Sequence, residues 1–204
     1  MNYETIILEL MTRVQALEQK VKILEEKNKK YDDVIEMIKN NKDFEEQDEE
    51  IKITRSIARQ QVMNKIANLY KYLDVKKGNR ATRADIILTV NNGENKGEQF
   101  FGKFYYSKSH LEYPAGWHTV KAVDLENDNL DFHIFTVSHE DKFYNFLFTH
   151  EELKQYVQQK KMDSSDQYYF YFQVVNGKAI ENRDGERNVQ SNFENWKMFE
   201  QLIK

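Results

Sequence analysis

Residues 3–38 repeat every seven positions, and that repeat constrains the chain more than any other feature. With Ile7 as an a position, the a series runs Ile7, Val14, Val21, Asn28 and Ile35. The d series runs Tyr3, Leu10, Leu17, Leu24, Tyr31 and Ile38. An apolar stripe with a period of ~3.5 residues cannot be buried by one helix alone and needs a partner helix along its length. The spacing predicts a coiled coil over residues 1–40. Its interface would comprise Ile7, Leu10, Val14, Leu17, Val21, Leu24, Asn28, Tyr31 and Ile35.

The flanking charges set the expected orientation. Parallel, in-register chains would bring Arg13 near the partner's Glu18, Lys20 near the partner's Glu25 and Lys27 near the partner's Asp32. All three pairs are opposite in sign. Each is worth only about a few tenths of a kcal/mol, so they select register more than they add stability. β-branched a residues with Leu at d favour two strands, and Asn28 at an a position lets two amides pair across a dimer seam. The RVQALE stretch, Arg13 to Glu18, pulls toward a trimer. A parallel homodimer is the expectation, with a trimer and an antiparallel or intramolecular partner as alternatives.

After the heptads the composition changes. KNNKDFEEQDEE, residues 39–50, carries six acids and one large apolar residue, Phe44. A solvated charged stretch is the ordinary meaning of such a run. The chain therefore reads as a coiled-coil helix over 1–40, an acidic hinge over 41–52 and a domain over 53–204. The 13 Phe and 12 Tyr concentrate in residues 70–172, which locates the core. With no cysteine, disulfides, thiolate metal sites and cysteine nucleophiles are excluded. No run approaches the ~20 apolar residues of a membrane span, and the spaced, charged start is unlike a secretory signal. The expected setting is cytoplasmic. The net charge of −4 argues against tight nonspecific nucleic-acid binding, although a local basic groove is compatible with it.

The domain opens with IKITRSIARQQVMNKIANLYKYL. Thr54 or Ser56 would cap a helix, and Ile57, Ala58, Val62, Ile66, Leu69, Tyr70 and Leu73 mark its buried face. Arg55 and Arg59 share another face, either as solvated basics or as phosphate contacts. DVKKGNRATR reads as a connector. ADIILTV and QFFGKFYYS read as the two strands of a hairpin around NNGENKGE. Phe101, Lys103 and Tyr105 alternate with Phe100, Gly102, Phe104 and Tyr106, so both faces of the return strand are aromatic. SKSHLEYPAGWHTVKAVDLENDN reads as irregular. A second hairpin comes next, with strands near 130–138 and 142–148. Then comes a helix with a capping box at Thr149 and Glu152. YYFYFQVV is a strand continued past an Asn-Gly turn, and 192–203 reads as a short terminal helix. The expected fold class is mixed α and β (α/β or α+β), with helices flanking one sheet.

The stretch from SIARQQVMNKIANLY through GNRATRADIILTV and FFGKFYYSKS to LDFHIFTVSHEDKFYNFLFTHEEL resembles the restriction-endonuclease-like PD-(D/E)XK superfamily, over about residues 53–160. It is also similar to small proteins of low-GC Gram-positive bacteria that begin with a coiled coil. The superfamily resemblance implies an entry helix before an Asp-bearing strand, then a strand with an acid, a spacer and a lysine. Clustered carboxylates would hold Mg²⁺, and the lysine would orient water or stabilise charge. Asp85 matches the strand acid and Lys103 the lysine. Position 101, where the second acid belongs, is Phe. The entry-helix acid near 59–60 is replaced by Arg59 and Gln60. Glu98 would substitute only through a bulge, because it is an odd number of residues from Lys103. The plainest alternative makes Asp85 a strand-start residue paired with Arg83 or Lys103.

The expected site residues are thus Asp85, Lys103 and Glu98 for catalysis, with Asp85 as metal ligand, and Arg55, Arg59 and Lys108 for binding. No cofactor is expected, except Mg²⁺ if the chain is a nuclease. The basic and aromatic stretch GKFYYSKSH has the composition of a single-strand stacking surface, although core strands look the same. Other arrangements are weaker. His133 and His139 would meet only through the second hairpin. Ser107, Ser109, His110 and His118 lack a nucleophile motif. The resulting reading is a non-catalytic nuclease-fold module that binds DNA, RNA or protein. The alternatives are an active Mg²⁺-dependent nuclease and a purely structural oligomerisation protein.

Overall fold

Thr54 starts the first helix of the domain: its hydroxyl accepts from the Ile57 N–H at 3.3 Å. The structure is a computed structural model that describes residues 53–203, together with Val14 and Val21. The remaining heptad positions and the hinge, residues 41–52, lie outside the described residues. The chain divides into two units between Ile51 and Lys52. In the first, Val14 and Val21 are helical and 51% and 52% exposed.

In the second unit, α1 (Arg55–Leu69) buries Ala58, Val62, Met63 and Ile66. It is followed by β1 (Leu73–Lys77), β2 (Ile86–Val90) and β3 (Gln99–Lys108). Next come β4 (Ala115–Lys121), the one-turn α2 (Ala122–Leu125), β5 (Phe132–His139) and β6 (Lys142–Thr149). The chain ends with α3 (His150–Val157), β7 (Gln167–Val175), β8 (Lys178–Glu181), β9 (Arg187–Asn188) and α4 (Met198–Leu202). The fold is mixed α+β with few helices. No helix among the described residues is long and apolar enough to cross a membrane.

Two sheets replace the single expected one. A five-stranded sheet has the order β1-β2-β3-β5-β6 and is antiparallel except for the parallel β3–β5 pair. A four-stranded antiparallel sheet has the order β4-β7-β8-β9. Parallel strands cannot be joined by a tight turn, so the segment between β3 and β5 must cross over. That crossover carries β4, which builds the second sheet by pairing with β7. Residues 115–121 of the stretch expected to be irregular therefore form a strand, and so do residues 74–77 of the expected connector together with Leu73, expected on the entry helix.

Two apolar layers result. On one face of the larger sheet, α1 packs on Ile86, Leu88, Phe100, Phe104, Phe132 and Ile134, with Trp196 and Phe199 closing the layer. On the other face, Phe135, Phe146 and Phe148 meet Phe170 and Phe172 of the smaller sheet. β5 lies between both layers and is buried through Ser138, as a strand covered on both sides must be. The expected capping box is present: Thr149 Oγ accepts from Glu152 N–H, and the Glu152 carboxylate accepts from Thr149 N–H.

The expected terminal helix is shorter than its apolar stripe suggested. Glu194 adopts φ 51°, and Phe193 makes a bridge to Phe146, so only Met198–Leu202 is helical. One local constraint is testable. Gly102 faces Phe132 across the parallel pair, and a Cβ at 102 would run into the Phe132 ring. Gly102→Ala is therefore expected to cost about 2–3 kcal/mol through overpacking, read as a lower urea midpoint at unchanged m-value.

Candidate functional site

Asp85 lies immediately before β2, where its backbone N–H donates to the Gly102 carbonyl at 2.8 Å. Its side chain is turned toward α1. Arg55, in the first turn of that helix, donates through Nη2 to Asp85 Oδ1 at 3.0 Å and to the Phe104 carbonyl at 2.6 Å. Arg59 Nη1 lies 3.7 Å from the same Oδ1. Asp85 Oδ2 accepts from the Phe104 N–H at 3.1 Å. Both carboxylate oxygens are thus engaged by cations or donors. The partners are Arg55 and Arg59, one helical turn apart, rather than Arg83 or Lys103.

Lys103 has its own counter-ion. Its Nζ is 2.9 Å from Asp124 Oδ1, and both side chains are mostly buried. Asp124 comes from α2, at the end of the β3–β5 crossover. Nothing in its sequence surroundings marks it; only the crossover brings it to β3. Arg55, Asp85, Lys103 and Asp124 line an open cleft of about 370 Å³ together with Tyr105, Trp117, His118 and Lys121. The expected Asp85, Lys103 and Arg55 therefore meet in one place, and Arg59 reaches it through Asp85. Glu98 is exposed at the end of the β2–β3 loop, and Lys108 is at the far end of β3; neither lines the cleft.

Behind the cleft runs a chain of aromatic and imidazole groups. The Tyr105 hydroxyl lies 3.3 Å from His133 Nδ1, and His133 Nε2 lies 2.9 Å from His150 Nδ1. Burial raises the Tyr105 phenol well above its ordinary range, with Asp124 and Asp85 adding to it. Burial pushes His133 down to about 3, helped by His150 and Lys103. Burial also lowers His150, with Lys154 adding to it. All three groups are therefore neutral at pH 7. His133 meets His150, not His139, which lies at the end of the same strand. His118 is buried between the sheets against Phe135 and Phe172, and burial alone holds it down to about 3. Neither of its ring nitrogens has a hydrogen-bond partner.

The donor set does not fit the Mg²⁺ of a metal-dependent nuclease. Such an ion takes oxygen ligands from clustered carboxylates. Here Asp85 is held by two guanidinium groups and Asp124 by an ammonium. Among the described residues no group of three or more His, Asp or Glu side chains is placed to share an ion. What the cleft can do is bind. Arg55, Lys103 and Lys121 outnumber Asp85 and Asp124, and Arg55 has further N–H groups beyond the one that serves Asp85 and Phe104. Comparison with protein-family models, known proteins and solved structures finds no match to this chain.

Proposed function

We propose that this chain is a homo-oligomeric, non-catalytic nucleic-acid-binding protein. Its domain is of restriction-endonuclease-like type, and an N-terminal parallel coiled coil joins the copies. The observation that carries the reading is the pairing of Asp85 with Arg55 and Arg59. Where a nuclease would cluster carboxylates around the strand acid, this chain supplies two guanidinium groups. That disfavours a cation beside Asp85, and the half-exposed Arg55 keeps further N–H groups to offer an anion in the cleft. Arginine in such a place suits phosphate oxygens, since its planar fork can donate two N–H bonds at once.

The order of elements supports the superfamily resemblance. An entry helix, α1, precedes a strand opened by Asp85, and the next strand carries Lys103. A further strand pair, β5 and β6, comes later in the chain. The heptads support the assembly: Val14 and Val21, both a positions, are helical and half exposed in the single chain. A coil joining two domains would multiply weak domain contacts through effective concentration.

The test has two parts. Single- and double-stranded DNA and RNA are incubated with the full chain and Mg²⁺ or Mn²⁺. No cleavage above background is expected, and the same absence is expected of Asp85→Ala. Metal-dependent cutting abolished by Asp85→Ala would establish the nuclease reading instead. Binding is then measured against salt, and a negative slope of log affinity on log salt is expected. For the assembly, sedimentation should give a dimer at micromolar concentration, and Leu17→Glu with Leu24→Glu should give a monomer. A monomeric parent protein would refute the coil.

A further inference from the structure

β4 places a tryptophan where a core strand would not. Its residues alternate, so His118 and Val120 are buried while Trp117, Thr119 and Lys121 face outward. Trp117 is 56% exposed. Directly opposite on β7 is Tyr171, with Tyr169 opposite Thr119. The Trp117 and Tyr171 rings stack with centroids 4.5 Å apart and planes 25° apart. The Arg183 guanidinium lies 5.5 Å from the Trp117 ring centroid. The outer face of the smaller sheet therefore carries an aromatic platform with a cation on it.

Trp117 and Lys121 also line the cleft, so platform and cleft are continuous. The charges around Trp117 select the ligand's sign. Arg183 lies over its ring, and in the adjoining cleft Arg55, Lys103 and Lys121 exceed Asp85 and Asp124 by one positive charge, because Arg55 and Lys103 are the cations those two acids pair with. A planar, anionic polymer satisfies all of this, since bases stack on aromatics while phosphates meet the cations.

We infer that the site takes single-stranded nucleic acid, with a base stacked on Trp117 beside Tyr171 and the neighbouring phosphates running into the Arg55–Lys103–Lys121 cleft. This rests on the nucleic-acid-binding reading above and specifies its substrate class. A duplex keeps its bases stacked on one another and offers Trp117 no free face, whereas a single strand does. An aromatic face on an antiparallel sheet is a common means of holding splayed bases.

The chain's two tryptophans make the experiment direct. Trp196 is 8% exposed, so a change in intrinsic fluorescence on stacking reports on Trp117. The full chain is titrated with a short oligothymidylate, an oligouridylate of equal length and a duplex of equal length. Both single strands should quench the fluorescence and bind more tightly than the duplex; the two of them together show whether the sugar matters. Trp117→Ala should abolish the quenching and weaken single-strand binding about tenfold to a hundredfold. Its salt slope should be unchanged, because no phosphate contact is lost. Trp117→Phe should recover most of the affinity. Lys103→Gln with Lys121→Gln should weaken every nucleic acid and flatten the salt slope.

If Trp117→Ala binds single strands as tightly as the parent while the lysine variant does not, the stacking inference is overturned and the binding module stands. The same holds if the duplex binds as tightly as the single strands. If the parent binds none of the three, both readings are overturned.

Discussion

Moving from about pH 7.5 to about pH 5 will strip roughly 4 kcal/mol from the folding stability of this domain. The loss comes chiefly from two buried imidazoles, and His150, also lowered by burial, adds to it. His118 is held down to about 3 by burial, and His133 to about 3 by burial, then by His150 and Lys103. In the unfolded chain both return to the ordinary value of 6.5. Well above that value neither state carries these protons. As the pH falls through 6.5 the unfolded chain takes them up and the folded chain does not, so unfolding gains free energy. The contribution is about 1.4 kcal/mol per pH unit for each histidine. At pH 5 that is about 2 kcal/mol each, and the loss continues until the folded values are reached.

The window separates this effect from the acids. Asp163, lowered chiefly by its bond from Tyr169, and Asp184, lowered chiefly by Lys160, start from 3.8. Their stabilisation is intact above that value and is lost only as the pH falls further. Asp131, raised by burial, works in the opposite direction as it begins to protonate. Between pH 6.5 and 5 the histidines therefore dominate. Urea titrations at a series of pH values should show the midpoint falling across this interval. His118→Phe should remove one histidine's share of the slope, whatever it does to stability at neutral pH. A midpoint equal at both ends of the interval would rule out neutral burial of these rings.

Much of the fold could be read locally. α1 and its Thr54 cap, the β2–β3 and β5–β6 hairpins and the Thr149 capping box each rest on residues close in sequence. β1 and β4 could not be read in this way. In LDVKK only Leu73 is fully buried and both lysines are exposed, and the following Gly-Asn obscures the strand. In β4 the Pro114-Ala-Gly start has the composition of a turn. Gly116 is nevertheless required there, since a Cβ would press on Val137 and on Ser107. The second sheet depends on β4 finding β7, a pairing across two intervening strands and two helices that no local period records. The site divides the same way. Arg55 and Arg59 stood out by type and spacing, and Asp85 and Lys103 through the superfamily resemblance. Trp117, His118, Lys121 and Asp124 all belong to the crossover, so they entered the site only with the second sheet.

The largest single-residue effect on stability is expected at Glu181. Its side chain and that of Lys160 are both 0% exposed. Glu181 Oε2 accepts from Lys160 Nζ at 3.1 Å and from the Tyr156 hydroxyl at 2.9 Å. Oε1 accepts from the Tyr171 and Arg183 backbone N–H groups, both at 3.1 Å, and from Lys160 at 3.2 Å. Lys160 also reaches Asp184 Oδ2 at 2.8 Å and lies 4.8 Å from the Phe170 ring centroid. Glu181→Ala leaves an ammonium half compensated and two backbone donors without their acceptor. Breaking one partner of a buried pair costs about 3–5 kcal/mol. Lys160→Met should cost a similar amount, because it strands the carboxylate. Lys160→Met combined with Glu181→Gln removes both charges and keeps the acceptor for the two N–H groups. The double variant should therefore lose at least about 1.5 kcal/mol less than the sum of Lys160→Met and Glu181→Gln alone. Additive losses, or a Glu181→Ala cost below about 1 kcal/mol, would show that the pair is not coupled as its geometry indicates. The pair also bears on binding. Glu181 holds the backbone of Arg183, and Arg183 lies over Trp117. Loosening that anchor should weaken single-strand binding in any Glu181 variant that still folds, even though Glu181 itself never reaches the ligand.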